Sequence, residues 1–337
     1  MCQKASAQLT KGSAACIVLM LVLWENDRKG FISMGQYGLT KKVLIPLLCL
    51  VLAGGYYVGY HSVHTIAQHV EHSRAVARQQ AAAEAKAKKA AALKTQLTAA
   101  WQKVLTDTPP DGNVDVAVYD NATGAIADYT NAPSGTSFIT ASVIKLSILE
   151  TLLLQNQKNG ISGLTAAQLA EATPMIEQSD NSAASALWTS VGGSKAVNGF
   201  FQQIGTTHSL GSTQHWGWST TTALDQLKVV NEVAHPTLLN TASVTAANNL
   251  LTHVEAGQHW GISGGVPAGV TVQLKNGWLD PGDTNGSGWV VNSVGYVQGD
   301  GADYTIAVMT NQNKTEQDGI NTIQALSAAA WDTVNGY

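Results

Sequence analysis

Strand-like alternation occurs at two places in this chain that a long helical block keeps apart, and any fold must bring them together. Residues 114–119 (VDVAVY) alternate in strand fashion, and residues 121–124 supply a turn before a second run at 125–129. The pattern is helical from about 142 to 251, and strands return at 270–279, 289–297 and 304–310. An amphipathic helix over 316–334 closes the chain. Two strands, a helical block, three strands and a helix predict an α/β (α+β) domain. It has a five-stranded antiparallel sheet flanked by helices, plus an all-helical subdomain.

The preceding residues divide into three segments. Residues 43–60 (VLIPLLCLVLAGGYYVGY) carry no charge, a length near the lower limit for spanning a bilayer. Lys41 and Lys42 precede the run, and Tyr56, Tyr57 and Tyr60 stand where an interfacial aromatic belt would lie. These features predict a signal anchor, with 1–42 cytoplasmic and everything after 60 outside the cell. A cleaved signal that releases a secreted protein is the alternative, and Met34 is a second plausible translation start. Residues 61–108 are Ala-, Gln- and Lys-rich and predict a solvated helical stalk. His61, His64, His69 and His72 pair at its base without carboxylate or thiolate company, which reads as a solvated face and not a metal site. Pro109 and Pro110, followed by Asp111 and Gly112, open the domain at 109–337.

Composition narrows the function. A net charge of −4 with 12% charged residues gives no basic face for nucleic acid. Cys2, Cys16 and Cys49 all lie before the stalk, so the domain has no thiol nucleophile, disulfide or zinc-finger spacing, and no cofactor is implied.

Within the domain, Ser142 and Lys145 are three residues apart at the head of an apolar helix, which puts them on one face about a turn apart. A serine hydroxyl needs a base to become a nucleophile, and a desolvated lysine can serve. Ser179-Asp180-Asn181 follows, and then Lys275-Asn276-Gly277 in a strand pattern. The ordered set S-x-x-K, S-D-N, K-x-G is the one used by penicillin-binding proteins and class A β-lactamases.

On these motifs, residues 114–337 resemble the class A β-lactamase and penicillin-binding-protein superfamily, a β-lactamase/transpeptidase-like fold. The resemblance implies that Ser142 is acylated, Lys145 accepts its proton and Ser179 relays a proton to the leaving nitrogen. It implies that Asn181, Lys275, Asn276 and Gly277 bind the substrate. The backbone N–H groups of Ser142 and Trp278 would form the oxyanion hole. The ligand would be a β-lactam or a D-Ala-D-Ala-like peptidoglycan stem, and the domain a monomer.

Two departures stand out. The third motif has Asn276 where the family usually has Thr or Ser. Class A enzymes also place a deacylating glutamate between the second and third motifs, but residues 181–224 contain no Asp or Glu. His215 is a side chain of that loop able to act as a base near neutral pH, with Trp216 beside it. Gln214-His215-Trp216-Gly217 recurs as Gln258-His259-Trp260-Gly261, which reads either as two packing anchors or as an aromatic rim on the cleft. The expectation is therefore a β-lactamase-like serine hydrolase with slow deacylation. The alternatives are a D,D-peptidase acting on the cell wall and a non-catalytic peptidoglycan- or β-lactam-binding module.

Overall fold

The computed structural model describes residues 38–336, with side chains from residue 46 onward. The segment expected at 1–42 and the start at Met34 lie outside the described residues, apart from helical backbone from Gly38. The described residues fall into two compact units that divide between Gln79 and Gln80.

Helix α1 runs over Gly38–Asp107. In the first unit its apolar side chains, among them Leu50, Val63 and Ile66, are exposed. No helix among the described residues is long and apolar enough to cross a membrane.

The second unit is built on a sheet of order β2-β1-β7-β6-β5, every pair antiparallel. The strands are β1 (Asn113–Asp120), β2 (Ala125–Thr130), β5 (Thr271–Leu279), β6 (Trp289–Gly299) and β7 (Ala302–Asn313). Strands from the two chain ends meet at β1 and β7, with Val116 opposite Val308 and Ala117 opposite Ala307. Asp300 and Gly301 join β6 to β7 in two residues, both at positive φ (51° and 84°). That geometry matches the right-handed twist of a hairpin and explains the Asp-Gly pair.

Period-two alternation divides the apolar side chains between two cores. On one face Ala117, Ala307, Met309 and Val294 pack against helix α2 (Ile144–Lys158) and its neighbours. On the other, Val116, Val118, Ile306 and Val308 pack against Leu326 and Trp331 of helix α8 (Glu316–Asn335). Helix α2 is buried nearly all round, as its run of leucines requires.

The predicted helical block resolves into separate helices. After α2 come α3 (Ala166–Glu177), α4 (Asn181–Val191), α5 (Gly193–Gln203), α6 (Ala223–Ala234) and α7 (Thr241–Leu251). Two-residue strands β3 (Phe138–Ile139) and β4 (Thr220–Thr221) pair beside the first turn of α2.

The stalk boundary needs correction. The compact unit begins at Gln80, ahead of the expected Pro109. Leu93, Leu97 and Trp101 line one stripe of α1 and are buried in the core shared with α8, and Trp101 Nε1 donates to the carbonyl of Leu326 at 3.2 Å. An Ala-rich helix with an apolar residue every fourth position buries that stripe, whatever its overall polarity.

Candidate active site

The first motif sits in a short 3₁₀ turn, Ala141–Val143, that feeds directly into α2. Ala141 has φ 47°, a left-handed conformation that is costly for a residue with a side chain. The surroundings impose it. Asn292, fully buried on β6, donates to the carbonyls of Ile139 (2.9 Å) and Thr140 (3.0 Å), and the Thr140 N–H donates to the Ser219 carbonyl (2.8 Å). Ser142 itself is half-buried, so it is open to the cleft and not sealed in the core.

Gly277 brings the third motif to the same place. A Cβ at that position would lie 2.6 Å from the Ser142 nitrogen and 2.7 Å from that of Val143. Only a glycine lets strand β5 approach the Ser142 turn this closely. Trp278, the next residue of β5, follows Gly277 directly, so it too stands beside the Ser142 turn.

The two lysines converge on the second motif. Lys145, buried on α2, donates from Nζ to the Ser179 carbonyl (2.6 Å), Ser179 Oγ (3.1 Å) and Asn181 Oδ1 (2.8 Å). Lys275, buried on β5, donates to the same Ser179 Oγ (3.0 Å) and to the Asn276 carbonyl (2.7 Å). Ser179 is presented by its own left-handed backbone (φ 57°), and Asp180 then caps α4 by accepting from the Ala183 N–H at 2.7 Å. A residue held off its preferred backbone between a cap and two lysines is positioned by the sequence around it.

Electrostatics follow from this burial. Desolvation pushes Lys145 down from the ordinary lysine range to about 7, against the opposing pull of the Asp180 charge. Lys275 is held well below its usual range by burial first and by the charge of Lys145 second. Both lysines therefore have access to the neutral amine that proton transfer needs.

Asn276 departs from its expected role as a substrate-binding residue. It is fully buried, its amide nitrogen donates to the carbonyls of Gln258 (2.8 Å) and Trp260 (3.4 Å), and its Oδ1 accepts from Ser293 Oγ (2.6 Å). Its donors and acceptor are engaged by protein. The reason is strand parity: with Lys275 turned toward Ser179, the next side chain must point to the opposite face. Asn276 thus fastens the second Gln-His-Trp-Gly copy, whose Trp260 ring lies 5.9 Å from that of Trp278.

The first copy behaves differently. Trp216 is buried with its ring centroid 4.9 Å from Lys145 Nζ, and its Nε1 donates to Ser185 Oγ on α4 at 3.1 Å. His215 is exposed, and its Nδ1 accepts from the Gly217 N–H at 3.2 Å, capping the turn that carries Trp216. Asp225 gives the loop no base. It is committed to the N–H groups of Thr207 and His208 and to Lys228, and these bonds outweigh the effect of burial and lower its pKa.

Asn292 and Ser293 were missed by motif reasoning, though two polar residues inside the apolar run of β6 were the available signal. Among the described residues no three His, Cys, Asp or Glu side chains gather as metal ligands.

Comparison with known proteins matches residues 153–334 to the beta-lactamase enzyme family. The chain belongs to that family. Three solved structures share the fold of this β-lactamase-family chain at low identity. A class A beta-lactamase from Bacteroides cellulosilyticus is 21% identical with a TM-score of 0.62, covering 73% of this chain and 99% of that one. A PBP-A mutant, in an acyl-enzyme complex with penicillin G, is 18% identical at 0.61, covering 72% and 97%. A class A beta-lactamase from Mycobacterium abscessus is 18% identical at 0.58, covering 70% and 98%. A search among curated proteins returns no match.

Proposed function

We propose that this protein is a serine hydrolase that opens a β-lactam or D-Ala-D-Ala-like amide through an acyl-Ser142 ester and releases the acyl group slowly. The observation that carries the reading is the Ser179 hydroxyl, which accepts hydrogen bonds from both buried lysines. A hydroxyl has two acceptor lone pairs and one proton. With both lone pairs engaged, the Ser179 proton is left to point into the cleft, toward a leaving nitrogen.

The steps follow. Lys145 first gives up one of the three protons with which it holds the second motif, and the freed lone pair takes the proton of Ser142, whose Oγ bonds to the amide carbon. The oxyanion that forms meets the N–H groups of Ser142 and Trp278. The C–N bond then breaks as Ser179 gives its proton to the nitrogen and regains one from the lysine pair. Water must finally cleave the ester, and the loop between the motifs offers no carboxylate to activate it. The charge-free run at 43–60, with Lys41 and Lys42 before it, supports anchoring in the cell membrane with the catalytic unit outside.

Incubation with a fluorescent penicillin, followed by a denaturing gel, tests the reading. The parent chain should label covalently and Ser142→Ala should not. A chromogenic cephalosporin should give about one equivalent of colour and then stall. A parent that never labels would favour the non-catalytic binding module instead.

A further inference from the structure

The loop that lacks a glutamate is not empty where it meets Lys145. All three hydrogen bonds of Lys145 Nζ run to the second motif, and the Trp216 ring covers it. The indole is only 6% exposed. Its turn is fastened at both ends. Trp216 Nε1 donates to Ser185 Oγ, which in turn donates to the carbonyl of Asn181 (2.9 Å), and Asn181 is the residue that accepts from Lys145. Ser219 Oγ donates to the Trp216 carbonyl (2.7 Å), while the Ser219 carbonyl accepts from Thr140, two residues before the nucleophile.

Resting on the acyl-serine reading above, we propose that Trp216 is a positioning residue that closes Lys145 to water and thereby sets the lifetime of the acyl-enzyme. Hydrolysis of the ester needs a water whose oxygen attacks the acyl carbon as a base accepts its proton, and the base then returns that proton to the departing Ser142 Oγ. Lys145 is the base nearest the nucleophile in sequence, and its nitrogen is bounded by its three second-motif acceptors and by the indole. The same indole keeps Lys145 desolvated. The groups acting on Lys145 from around it are Asp180, whose charge favours the ammonium, and Lys275, which shares Ser179 Oγ. The ring face attracts the ammonium, but burial is the larger effect.

Removing the indole should therefore move two rates in opposite directions. In the full-length protein, Trp216→Ala should shorten the penicillin G adduct half-life at least tenfold, read by intact mass against time at a pH high enough to leave part of the rehydrated lysine neutral. It should also slow acylation at pH 7, because the rehydrated lysine titrates at higher pH and the acid limb of the acylation profile moves up. Trp216→Phe, which keeps an aromatic plug, should restore most of the parent lifetime. Ser185→Ala, which frees the indole but leaves it in place, should shorten the lifetime by a smaller factor. Trp218→Ala, an exposed neighbour on the same turn, should change neither rate.

An unchanged adduct lifetime in Trp216→Ala would overturn the proposal. So would acylation and deacylation falling together, the sign of a loosened loop. If Trp216→Ala does not fold, an unchanged lifetime in both Trp216→Phe and Ser185→Ala overturns it as well. A parent that forms no adduct would sink the acyl-serine reading itself, and the proposal with it.

Discussion

Lys145 and Lys275 approach one hydroxyl from two sides, and among the described residues neither forms an ion pair, so both cannot comfortably hold a charge. With Lys145 lowered to about 7, the amine is protonated at pH 6 and largely neutral at pH 8. Acylation by a β-lactam should accordingly rise about tenfold per pH unit below 7 and level off above it. Lys145→Ala should cost about 10²- to 10⁴-fold, the usual worth of a general base. Stopped-flow labelling across pH checks both, and a flat profile would remove Lys145 from the base's role. A third buried ionisable group lies about one and a half turns beyond Lys145 on α2. Glu150 is fully buried, neither oxygen has a hydrogen-bond partner, and its pKa is raised well above 4.5 by burial first and by Glu232 second. A raised carboxyl binds its proton more tightly in the folded state, so its stabilising effect is full below pH 4.5 and lost as pH rises toward the folded pKa. Glu150→Gln should therefore gain in thermal midpoint over the parent as pH climbs from 5 to 8. A constant difference would show that Glu150 does not titrate across folding.

Helix α4 shows how an element serves chemistry through its cap. Asp180 accepts from the Ala183 N–H and is at the same time the charge that pulls the Lys145 pKa upward. Asp180→Asn keeps a capping oxygen and removes the charge. Its melting temperature should stay near that of the parent, while the acid limb of its acylation profile moves below pH 7. Asp180→Ala loses the cap as well and should cost about 0.5–2 kcal/mol in denaturant unfolding. Equal effects of the two would mean that charge plays no part. The cap was legible in the sequence as Asp-Asn before a helical run, and so were the five long strands, to within a few residues. The two-residue strands β3 and β4 were not, because alternation needs more than two positions to declare itself. The face of Asn276 was readable in principle, since strand parity sends it away from any Lys275 that meets Ser179. The contact of Trp216 with Lys145 was not, because nothing local specifies where a loop tryptophan will pack across the molecule.

For the whole molecule, the sequence's polar-looking helix hid part of the core. Alanine and lysine dominate 80–107, and the apolar stripe of Leu93, Leu97 and Trp101 is narrow enough to pass for a solvated face. Structurally those side chains cover Ile323, Leu326 and Trp331 of α8 and, through that core, the strands that carry Lys275 and Asn292. Fully burying such a side chain stabilises by roughly 1.5–3 kcal/mol, so the three together contribute roughly 4–9 kcal/mol. That is comparable with the whole stability of a typical domain, about 5–15 kcal/mol. A chain beginning at Gln80 should keep this layer, unfold in one cooperative transition and label with penicillin at the parent's rate. A chain beginning at Pro109 should lose most of its stability and expose apolar surface, seen as a lower denaturant midpoint and as dye binding at temperatures where the longer chain remains folded. Matching midpoints for the two would mean that the end of α1 only rests on the domain, and that the Ser142 turn owes its geometry to β5, β6 and the Ser219 carbonyl.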